Sequence, residues 1–296
     1  MNFIATLKES ALLVGDGAMG SRLIDRGLPV DVPGELWNVD NPDTVEAVQR
    51  EYVEAGAQFL LTNTFGGNLV ALAHHGLEDR VEELNAAAVE IARRAAGGAA
   101  LVIGDIGSTG ELIQPLGTLC EADARAAFAA QAAALVRAGV DAIIAETFES
   151  SQEARLALSA AAEAGDVPLI LSMKLAPGKT GYRSMMGEGT DDLVKAAEES
   201  GCAAVGTNCG QGIASMVALV EEIAGRTDLP VLAEPNAGQP ELVEGKTVYR
   251  EDAATFAQHL PQLVAAGARI VGGCCGTTAQ HVRVIRQCAD SHSADA

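Results

Sequence analysis

Aromatic residues are scarce in this sequence of 296 residues. They make up 3 % of the chain, with one Trp, three Tyr and six Phe. No apolar run reaches the roughly 18–20 residues that a membrane helix needs, and the first residues lack the basic start and apolar stretch of a signal peptide. These absences predict a cytoplasmic protein whose core is aliphatic and which has no membrane-spanning segment.

Basic residues are also few. The chain has 20 Lys and Arg against 40 Asp and Glu, which gives a formal net charge of −20. A surface of this sign repels phosphate backbones and anionic lipids, so nucleic-acid and membrane binding are not expected. A cationic ligand or a basic protein partner remains compatible with the charge, as does a plain role in solubility.

The six cysteines do not suggest disulfides, because the chain has no export signal. Cys274 and Cys275 are adjacent in the sequence, and a disulfide between neighbouring residues is strained. Two reduced thiols side by side are more natural as metal ligands. The pair therefore indicates a metal site.

One pattern repeats along the chain: a short apolar run that ends in a polar residue or glycine, followed by an Ala-rich amphipathic stretch. Eight such runs occur, at Leu12–Gly15, Gln58–Asn63, Leu101–Asp105, Ala142–Glu146, Leu169–Met173, Ala203–Thr207, Val231–Glu234 and Arg269–Gly272. Seven helices are predicted between and after them, at Pro42–Glu54, Arg80–Ala95, Ala122–Ala138, Gln152–Ala164, Thr190–Glu199, Ile213–Ile223 and Asp252–Ala266.

Eight strands that alternate with helices predict an α/β protein with a (β/α)8 TIM barrel. We expect a single domain over residues 1–296, with its core at about 10–288 and a frayed polar tail at 290–296. A doubly wound open sheet is the competing fold. Gly15, Gly17 and Gly20 match dinucleotide-binding spacing, but Asp16 would set a carboxylate beside the pyrophosphate.

Three cysteines fall where the chemistry of a barrel is expected, at the carboxyl ends of its strands. Cys209 follows the sixth predicted strand, and Cys274 and Cys275 follow the eighth. Three thiolates at about 2.3 Å from a zinc ion leave one tetrahedral position open, as in catalytic zinc sites. The other cysteines, Cys120, Cys202 and Cys288, are interpreted as packing residues.

The charge of this ligand set indicates the reaction. Three thiolates overcompensate Zn²⁺, so the ion polarises water or a carbonyl poorly. It still lowers the pKa of an incoming thiol, whose thiolate keeps its electron density and can attack a methyl group. The residues therefore favour thiol alkylation over hydrolysis.

Motifs at the strand ends resemble the homocysteine S-methyltransferase family, and within it the homocysteine-binding module of cobalamin-dependent methionine synthase. The likeness runs from about residue 10 to residue 288. It is carried by Gly15–Ala18, Leu61–Gly66, Gly104–Glu111, Glu146–Phe148, Gly206–Cys209, Glu234–Gly238 and Gly272–Thr278, of which Asn208-Cys209 with Gly272-Gly273-Cys274-Cys275-Gly276 is the most specific combination.

The resemblance implies a set of roles for a zinc-dependent transfer of methyl to L-homocysteine, which gives methionine. Cys209, Cys274 and Cys275 would be the catalytic zinc ligands, with Asn236 as a candidate fourth ligand when substrate is absent. The substrate would be bound by Asp16 and Glu146, which receive its amino group, and by the backbone amides of Gly17, Ala18 and Met19, which receive its carboxylate.

The methyl donor is the open question. No histidine stands in the Asp-x-His-x-x-Gly context of a cobalamin-binding sequence, so methylcobalamin would arrive on a separate corrinoid protein. We favour this donor over a small onium compound such as betaine, a dimethylsulfonio compound or S-methylmethionine. An onium donor would require an aromatic cage, for which Trp37, Tyr182 and Tyr249 lie in predicted loops. The long loops 176–187 and 238–250 are expected to shape the mouth where the donor docks.

Two other classes of protein are compatible with three cysteines at a rim. A non-catalytic zinc-binding barrel would have its site closed by a fourth protein ligand. A zinc hydrolase would need a general base beside an open metal with nitrogen or oxygen ligands, and no His stands at a predicted strand end.

Overall fold

The computed structural model describes residues 2–294, in which eight parallel strands form one sheet. The strands run in the order β1-β8-β7-β6-β5-β4-β3-β2. They are β1 (Leu13–Val14), β2 (Phe59–Leu61), β3 (Leu101–Ile106), β4 (Ala142–Phe148), β5 (Leu169–Met173), β6 (Ala204–Gly212), β7 (Val231–Asn236) and β8 (Ala268–Val271).

Polar side chains help to close the sheet between β1 and β2. The backbone N–H of Gln58 donates to the carbonyl of Val14 (2.8 Å), and the N–H of Val14 donates to Gln58 Oε1 (3.0 Å). The N–H of Leu61 donates to Asp16 Oδ2 (2.8 Å). These bonds replace the missing backbone ladder and bring the first strand beside the second, so the predicted (β/α)8 barrel is confirmed.

Twelve α-helices lie in the described residues. They are α1 (Phe3–Glu9), α2 (Gly20–Asp25), α3 (Trp37–Asp40), α4 (Pro42–Ala55), α5 (Leu69–Ala73), α6 (Val81–Ala96), α7 (Glu121–Ala138), α8 (Ser151–Ala164), α9 (Thr190–Glu199), α10 (Ile213–Ala224), α11 (Ala253–Ala265) and α12 (Ala279–Ala294). The seven predicted helices correspond to α4 and α6–α11, with every end within one residue of the prediction. None of the helices described is both long and apolar enough to cross a membrane.

Two helices at the chain ends were not predicted. Helix α1 places Phe3 and Leu7 against the apolar residues inside the barrel and so closes its lower end. Helix α12 packs on α4 and α11 and continues to Ala294, past residue 290 where the sequence suggested a frayed tail. Residues 295–296 of that tail lie outside the described part of the chain.

The barrel interior is apolar along most of each strand and acidic at the carboxyl ends of the strands. Alternate residues of a strand point to the same side, so β3 turns Leu101 and Ile103 into the inner apolar cluster and Asp105 comes next in the same direction. Strand β4 repeats this arrangement with Ile144 and then Glu146. The same alternation that builds the core therefore brings carboxyl groups together at the carboxyl ends of the strands.

Candidate active site

The structure brings the three predicted cysteines together. The sulfur atoms of Cys209, Cys274 and Cys275 all lie within 4.8 Å of one another, and those of the adjacent pair are 3.9 Å apart. Two sulfurs bound to one tetrahedral zinc ion are about 3.8 Å apart, given Zn–S bonds of about 2.3 Å. Among the His, Cys, Asp and Glu side chains described, only these three form such a group, which leaves a fourth position open.

Backbone bonds to β7 fix the turn that carries the cysteine pair. The N–H of Cys274 donates to the carbonyl of Pro235, and the N–H of Ala237 donates to the carbonyl of Cys275, both at 2.9 Å. The hydroxyl of Thr277 donates to the carbonyl of Cys274 (2.8 Å). Two adjacent side chains can therefore face one point because both sides of the turn are anchored.

Cys209 is presented by a strained backbone. Its φ of 59° lies in the left-handed region, which costs energy for a residue with a side chain and is frequent at functional sites. The thiols of Cys274 and Cys275 hydrogen-bond to it and hold its pKa well below the usual value. The two neighbouring thiols therefore favour the thiolate form of Cys209.

Asn236 lies beside the three sulfurs, where the resemblance places a fourth ligand. Its side chain hydrogen-bonds to Cys209 and contributes to the lowered pKa of that thiol. Its Oδ1 atom is buried and has no hydrogen-bond partner among the described residues, although buried carbonyl oxygens are normally paired. The chemistry of the site therefore suits a metal ion, while the ligand role of Asn236 stays a prediction.

The remaining cysteines lie elsewhere. Cys202 is buried in the core around the barrel. Cys120 caps α7 by accepting the N–H of Asp123 (3.4 Å), and Cys288 lies on α12 with its sulfur 3.8 Å from His292 Nδ1. Cys202 and Cys288 thus pack in or against the core, as interpreted, whereas Cys120 acts as a helix cap.

Glu146 stands at the end of β4 and is oriented by the residue that precedes Cys209. The side-chain amide of Asn208 donates to Glu146 Oε2, and Asn208 Oδ1 accepts from the hydroxyl of Ser172 (2.7 Å) and the N–H of Thr147 (3.0 Å). The pKa of Glu146 is raised to about 7, chiefly by burial and also by the nearby Cys209, while hydrogen bonds with Asp105, Thr147 and Asn208 act in the opposite direction.

A cavity of about 510 Å³ opens beside the three cysteines. Most of its wall comes from the segments after β1 and β2, and Asp105, Glu146 and Thr147 complete it near the sulfurs. The wall contains Ala18, Met19, Gly20, Ser21, Pro33, Gly34, Glu35, Thr62, Asn63, Thr64, Phe65, Gly66, Ala71 and His75, together with those three residues and the three cysteines. The cavity thus combines thiols, carboxyl groups and the exposed rings of Phe65 and His75.

The residues predicted to bind substrate at β1 are placed less uniformly. Asp16 is not on the cavity wall described, and its carboxylate accepts the N–H of Leu61. Gly17 packs against the ring of Tyr52, where a Cβ would come within 2.8 Å. The N–H of Ala18 already donates to Thr277 Oγ1 (3.0 Å). Of these predicted contacts, Ala18 and Met19 line the cavity, and all of them stay predictions.

Neither loop 176–187 nor loop 238–250 contributes to the wall of this cavity, and their role at the mouth where the donor docks stays a prediction. Each contains a two-stranded hairpin, formed by Ala176–Pro177 with Tyr182–Arg183 and by Glu241–Val243 with Lys246–Val248. The second loop does reach the cysteines, since Tyr249 hydrogen-bonds to Cys275. Sequence reasoning gave Tyr249 no role at the cysteines, because nothing local to it marks that contact.

Asp105 and Asn208 were also not assigned as site residues. Both stand at strand ends next to residues that were assigned. Their position is the signal that could have identified them, because the inward register of β3 and β6 is readable from the alternation of apolar residues.

The fold and the site define a (β/α)8 barrel with three thiols grouped at the carboxyl ends of its strands. A sequence profile described as homocysteine S-methyltransferase matches residues 13–289. The chain belongs to the homocysteine S-methyltransferase family.

Two relatives are methionine synthases. The chain is 32 % identical to that of Mycobacterium tuberculosis and 31 % identical to that of Mycobacterium leprae, in each case over 292 residues. Each alignment covers 93 % of this chain and 24 % of the relative. The chain therefore spans about a quarter of the length of these relatives.

Solved structures agree with this assignment. The metallated form of the homocysteine methyltransferase MmuM from Escherichia coli superposes with a TM-score of 0.79 at 26 % identity, over 96 % of this chain and 98 % of that one. A methyltransferase from Methanosarcina mazei has a TM-score of 0.61 at 13 % identity, over 98 % of this chain and 97 % of that one, and shares the fold alone.

Proposed function

We propose that this chain is a zinc-dependent homocysteine S-methyltransferase that makes methionine, with methylcobalamin on a corrinoid protein as the methyl donor. The observation that carries the proposal is the convergence of three sulfurs within 4.8 Å on a cavity that also contains carboxyl groups. The three sulfurs suit a metal that binds the thiol of homocysteine, and the carboxyl groups suit the amino-acid end of the molecule.

Cys209, Cys274 and Cys275 would hold the zinc ion, because their spacing and the lowered pKa of Cys209 match a tetrahedral thiolate site. A bound zinc ion would lower the pKa of the homocysteine thiol, so that homocysteine reacts as a thiolate at neutral pH. The hydrogen bond from Asn236 adds to the lowering of the Cys209 pKa by the other two cysteines. Tyr249 is hydrogen-bonded to Cys275. Its ring packs over Gly276 so closely that a side chain at that position would collide with it.

Glu146 would receive the ammonium group of the substrate. Its carboxylate lies in the cavity wall, and Asn208 fixes its direction. The substrate carboxylate would meet backbone N–H groups at residues 17–19, of which Ala18 and Met19 lie in the wall. Holding both groups of the amino acid fixes its thiol relative to the three cysteines, which supplies orientation rather than acid–base catalysis.

The cavity wall favours methylcobalamin over an onium donor. Phe65 is the one Phe, Tyr or Trp among the described residues of the wall, whereas recognition of a quaternary ammonium relies on a cage of several aromatic faces. Tyr52 is fully buried, and Trp37 and Tyr182 pack against the core. Tyr249 alone of these candidates lies at the cysteines, where it is hydrogen-bonded to Cys275. A bulky corrinoid needs only an accessible approach to the thiolate.

Metal content tests the three-cysteine assignment. We expect about one zinc per chain in the purified protein and loss of the metal in Cys209→Ser, because two thiols alone cannot complete the site. Cys288→Ser is the matched control and should keep its zinc, since Cys288 lies on α12. Retention of a full zinc complement by Cys209→Ser would overturn the site assignment.

Parallel assays test the donor. Homocysteine is offered with methylcobalamin, betaine, dimethylsulfoniopropionate or S-methylmethionine, and methionine is measured by mass spectrometry. We expect methionine from methylcobalamin. Methionine from an onium compound alone would overturn the donor proposal and leave the methyltransferase assignment intact.

A further inference from the structure

Lys174 is the first residue after β5, and its side chain lies beside the segment that carries Cys209. Its N–H donates to the carbonyl of Phe148 (2.9 Å), which fixes its backbone to the end of β4. A Cβ added at Gly210 would come 3.3 Å from Lys174 Cγ and 3.4 Å from Cε. The stem of the lysine therefore packs over the residue that follows Cys209.

The ammonium group of Lys174 is held in place by Glu149. Its Nζ atom lies 2.8 Å from Glu149 Oε1, and the other oxygen of that carboxylate accepts the N–H of Met185 (2.9 Å). The hydrogen bond to Glu149 is the chief reason that the pKa of Lys174 is raised, and the charges of Cys209 and Cys275 raise it as well. The ammonium group is thus close enough to two of the three sulfurs to interact with them electrostatically.

The charge balance of the site is unfavourable without a nearby cation. Zinc with three thiolates is already net negative, and the thiolate of homocysteine would add a further negative charge. Among the described residues that line the cavity, Glu35, Asp105 and Glu146 are acidic and none is Lys or Arg. A positive charge outside this wall lowers the electrostatic cost of gathering thiolates around the metal, because opposite charges attract strongly in a part-buried region of reduced dielectric constant.

A purely structural role for Lys174 would be that of an ordinary surface ion pair. Lys195 on α9 shows that case, because its ammonium group lies 3.9 Å from Glu199 and its side chain is 68 % exposed. Such pairs contribute little to stability. The side chain of Lys174 is 37 % exposed and packs over Gly210, so its position depends on contacts with the segment that carries the cysteine.

We propose that Lys174 is a charge-compensating residue of the metal site, whose ammonium group offsets the negative charge that zinc-bound Cys209, Cys275 and homocysteine accumulate. The inference rests on the proposed function and deepens it, since it assigns to the site a cation that lies outside the cavity wall. Lys174 itself binds neither the metal nor the substrate and acts through the field of its charge. We therefore expect its contribution to weaken as the ionic strength rises, because salt screens this interaction.

Zinc affinity, measured by competition with a chromophoric chelator, tests the role of the charge. Lys174→Met nearly keeps the length of the side chain and removes its charge, and we expect its zinc affinity to fall about tenfold at low ionic strength. Lys174→Arg keeps the charge and should retain most of the wild-type affinity. Lys195→Met is the matched control, since that lysine is also ion-paired, and it should leave zinc affinity unchanged.

Ionic strength separates the charge of Lys174 from its packing. At about 1 M salt the loss of zinc affinity in Lys174→Met should shrink to about twofold, because the Debye length is then only about 3 Å. Calorimetric titration of homocysteine into the zinc-loaded proteins should show a loss of affinity in Lys174→Met with the same salt dependence. Thermal unfolding of the metal-free proteins establishes that each variant is folded.

Equal zinc affinities of the wild-type chain and Lys174→Met at low ionic strength would overturn the inference. A loss that is the same at both ionic strengths, or that Lys174→Arg shares in full, would assign Lys174 a packing role and overturn it as well. A wild-type chain that binds no zinc would instead remove the proposed function, and the inference with it. The three results are distinguishable in one set of competition measurements.

Discussion

Glu146 shows how a binding site can destabilise the protein that contains it. Burial raises its pKa from 4.5 to about 7, so the folded state keeps a proton that the unfolded state releases between these two values. Stability contributed by this group is present at low pH and is lost as the pH rises from about 4.5 to about 7. A bound ammonium group would restore it.

We predict that Glu146→Gln unfolds at a higher urea concentration than the wild-type protein at pH 8, when both are free of metal and ligand. The expected gain is on the order of 1–3 kcal/mol, because the variant never carries the buried charge. The gain should vanish at pH 4.5, where the wild-type carboxyl is protonated. The same variant should bind homocysteine more weakly. A stability difference that is equal at the two pH values would contradict this account.

Single residues of the site could be predicted where chemistry and strand position coincide. Cys209, Cys274 and Cys275 carry both signals, since thiols are chemically distinctive and follow predicted strands. Asp105 carries only the positional signal, because acids at strand ends are common. Tyr249 carries neither, since its contact with Cys275 depends on how a hairpin folds over the rim.

At the scale of elements, His281 connects helix α12 to the loop that covers the cysteines. Its Nδ1 accepts from the N–H of Thr278 and its Nε2 donates to the carbonyl of Glu251, both at 3.1 Å. Its ring meets that of Phe256 edge-on at 4.7 Å. This arrangement requires the neutral imidazole, and burial lowers the pKa of His281.

We predict that His281→Ala lowers the free energy of unfolding by about 1–3 kcal/mol at pH 7.5, because two buried hydrogen bonds lose their partner. A depressed histidine pKa contributes stability above its usual value of about 6.5, and this is lost as the pH falls below that value. The difference in free energy of unfolding between the wild-type protein and the variant should therefore be smaller at pH 5.5. Urea unfolding at both pH values checks this, with the partly exposed His259→Ala as control. A difference that is larger at low pH would disprove the role of the neutral ring.

Helices could be predicted from periodicity when they were long enough. Helices α4 and α6–α11 have ten or more residues with a buried face, and their ends followed from sequence to within one residue. Helix α1 has seven residues and two buried positions, Phe3 and Leu7, which is too short to show a helical period. Helix α12 does bury Val282, Ile285 and Ala289 at helical spacing, so its signal was present and was missed.

At the scale of the whole molecule, the large exposed apolar side chains lie on one end of the barrel. Every such residue described follows a barrel strand and precedes the next long outer helix, at Ile24, Val30, Val39, Phe65, Leu69, Leu112, Leu116, Met185, Leu242 and Val243. None of these residues lies in the long outer helices α4 and α6–α12. Sequence alone could not reveal this distribution, because the exposure of an apolar residue depends on what the folded chain places over it.

An apolar rim around the site suits a protein partner, since such patches mark interaction surfaces, and a corrinoid protein would have to reach the thiolate from this end. We predict that Leu116→Asp and Leu242→Asp reduce kcat/KM about tenfold with methylcobalamin bound to a corrinoid protein, and leave the rate with free methylcobalamin unchanged. Ala99→Asp, an exposed position between α6 and β3 at the opposite end, is the control and should affect neither rate. Steady-state methionine formation with both donors makes the comparison. Equal losses with the free and the carried donor would show that the substitutions disturb the catalytic site itself, because only docking distinguishes the two donors.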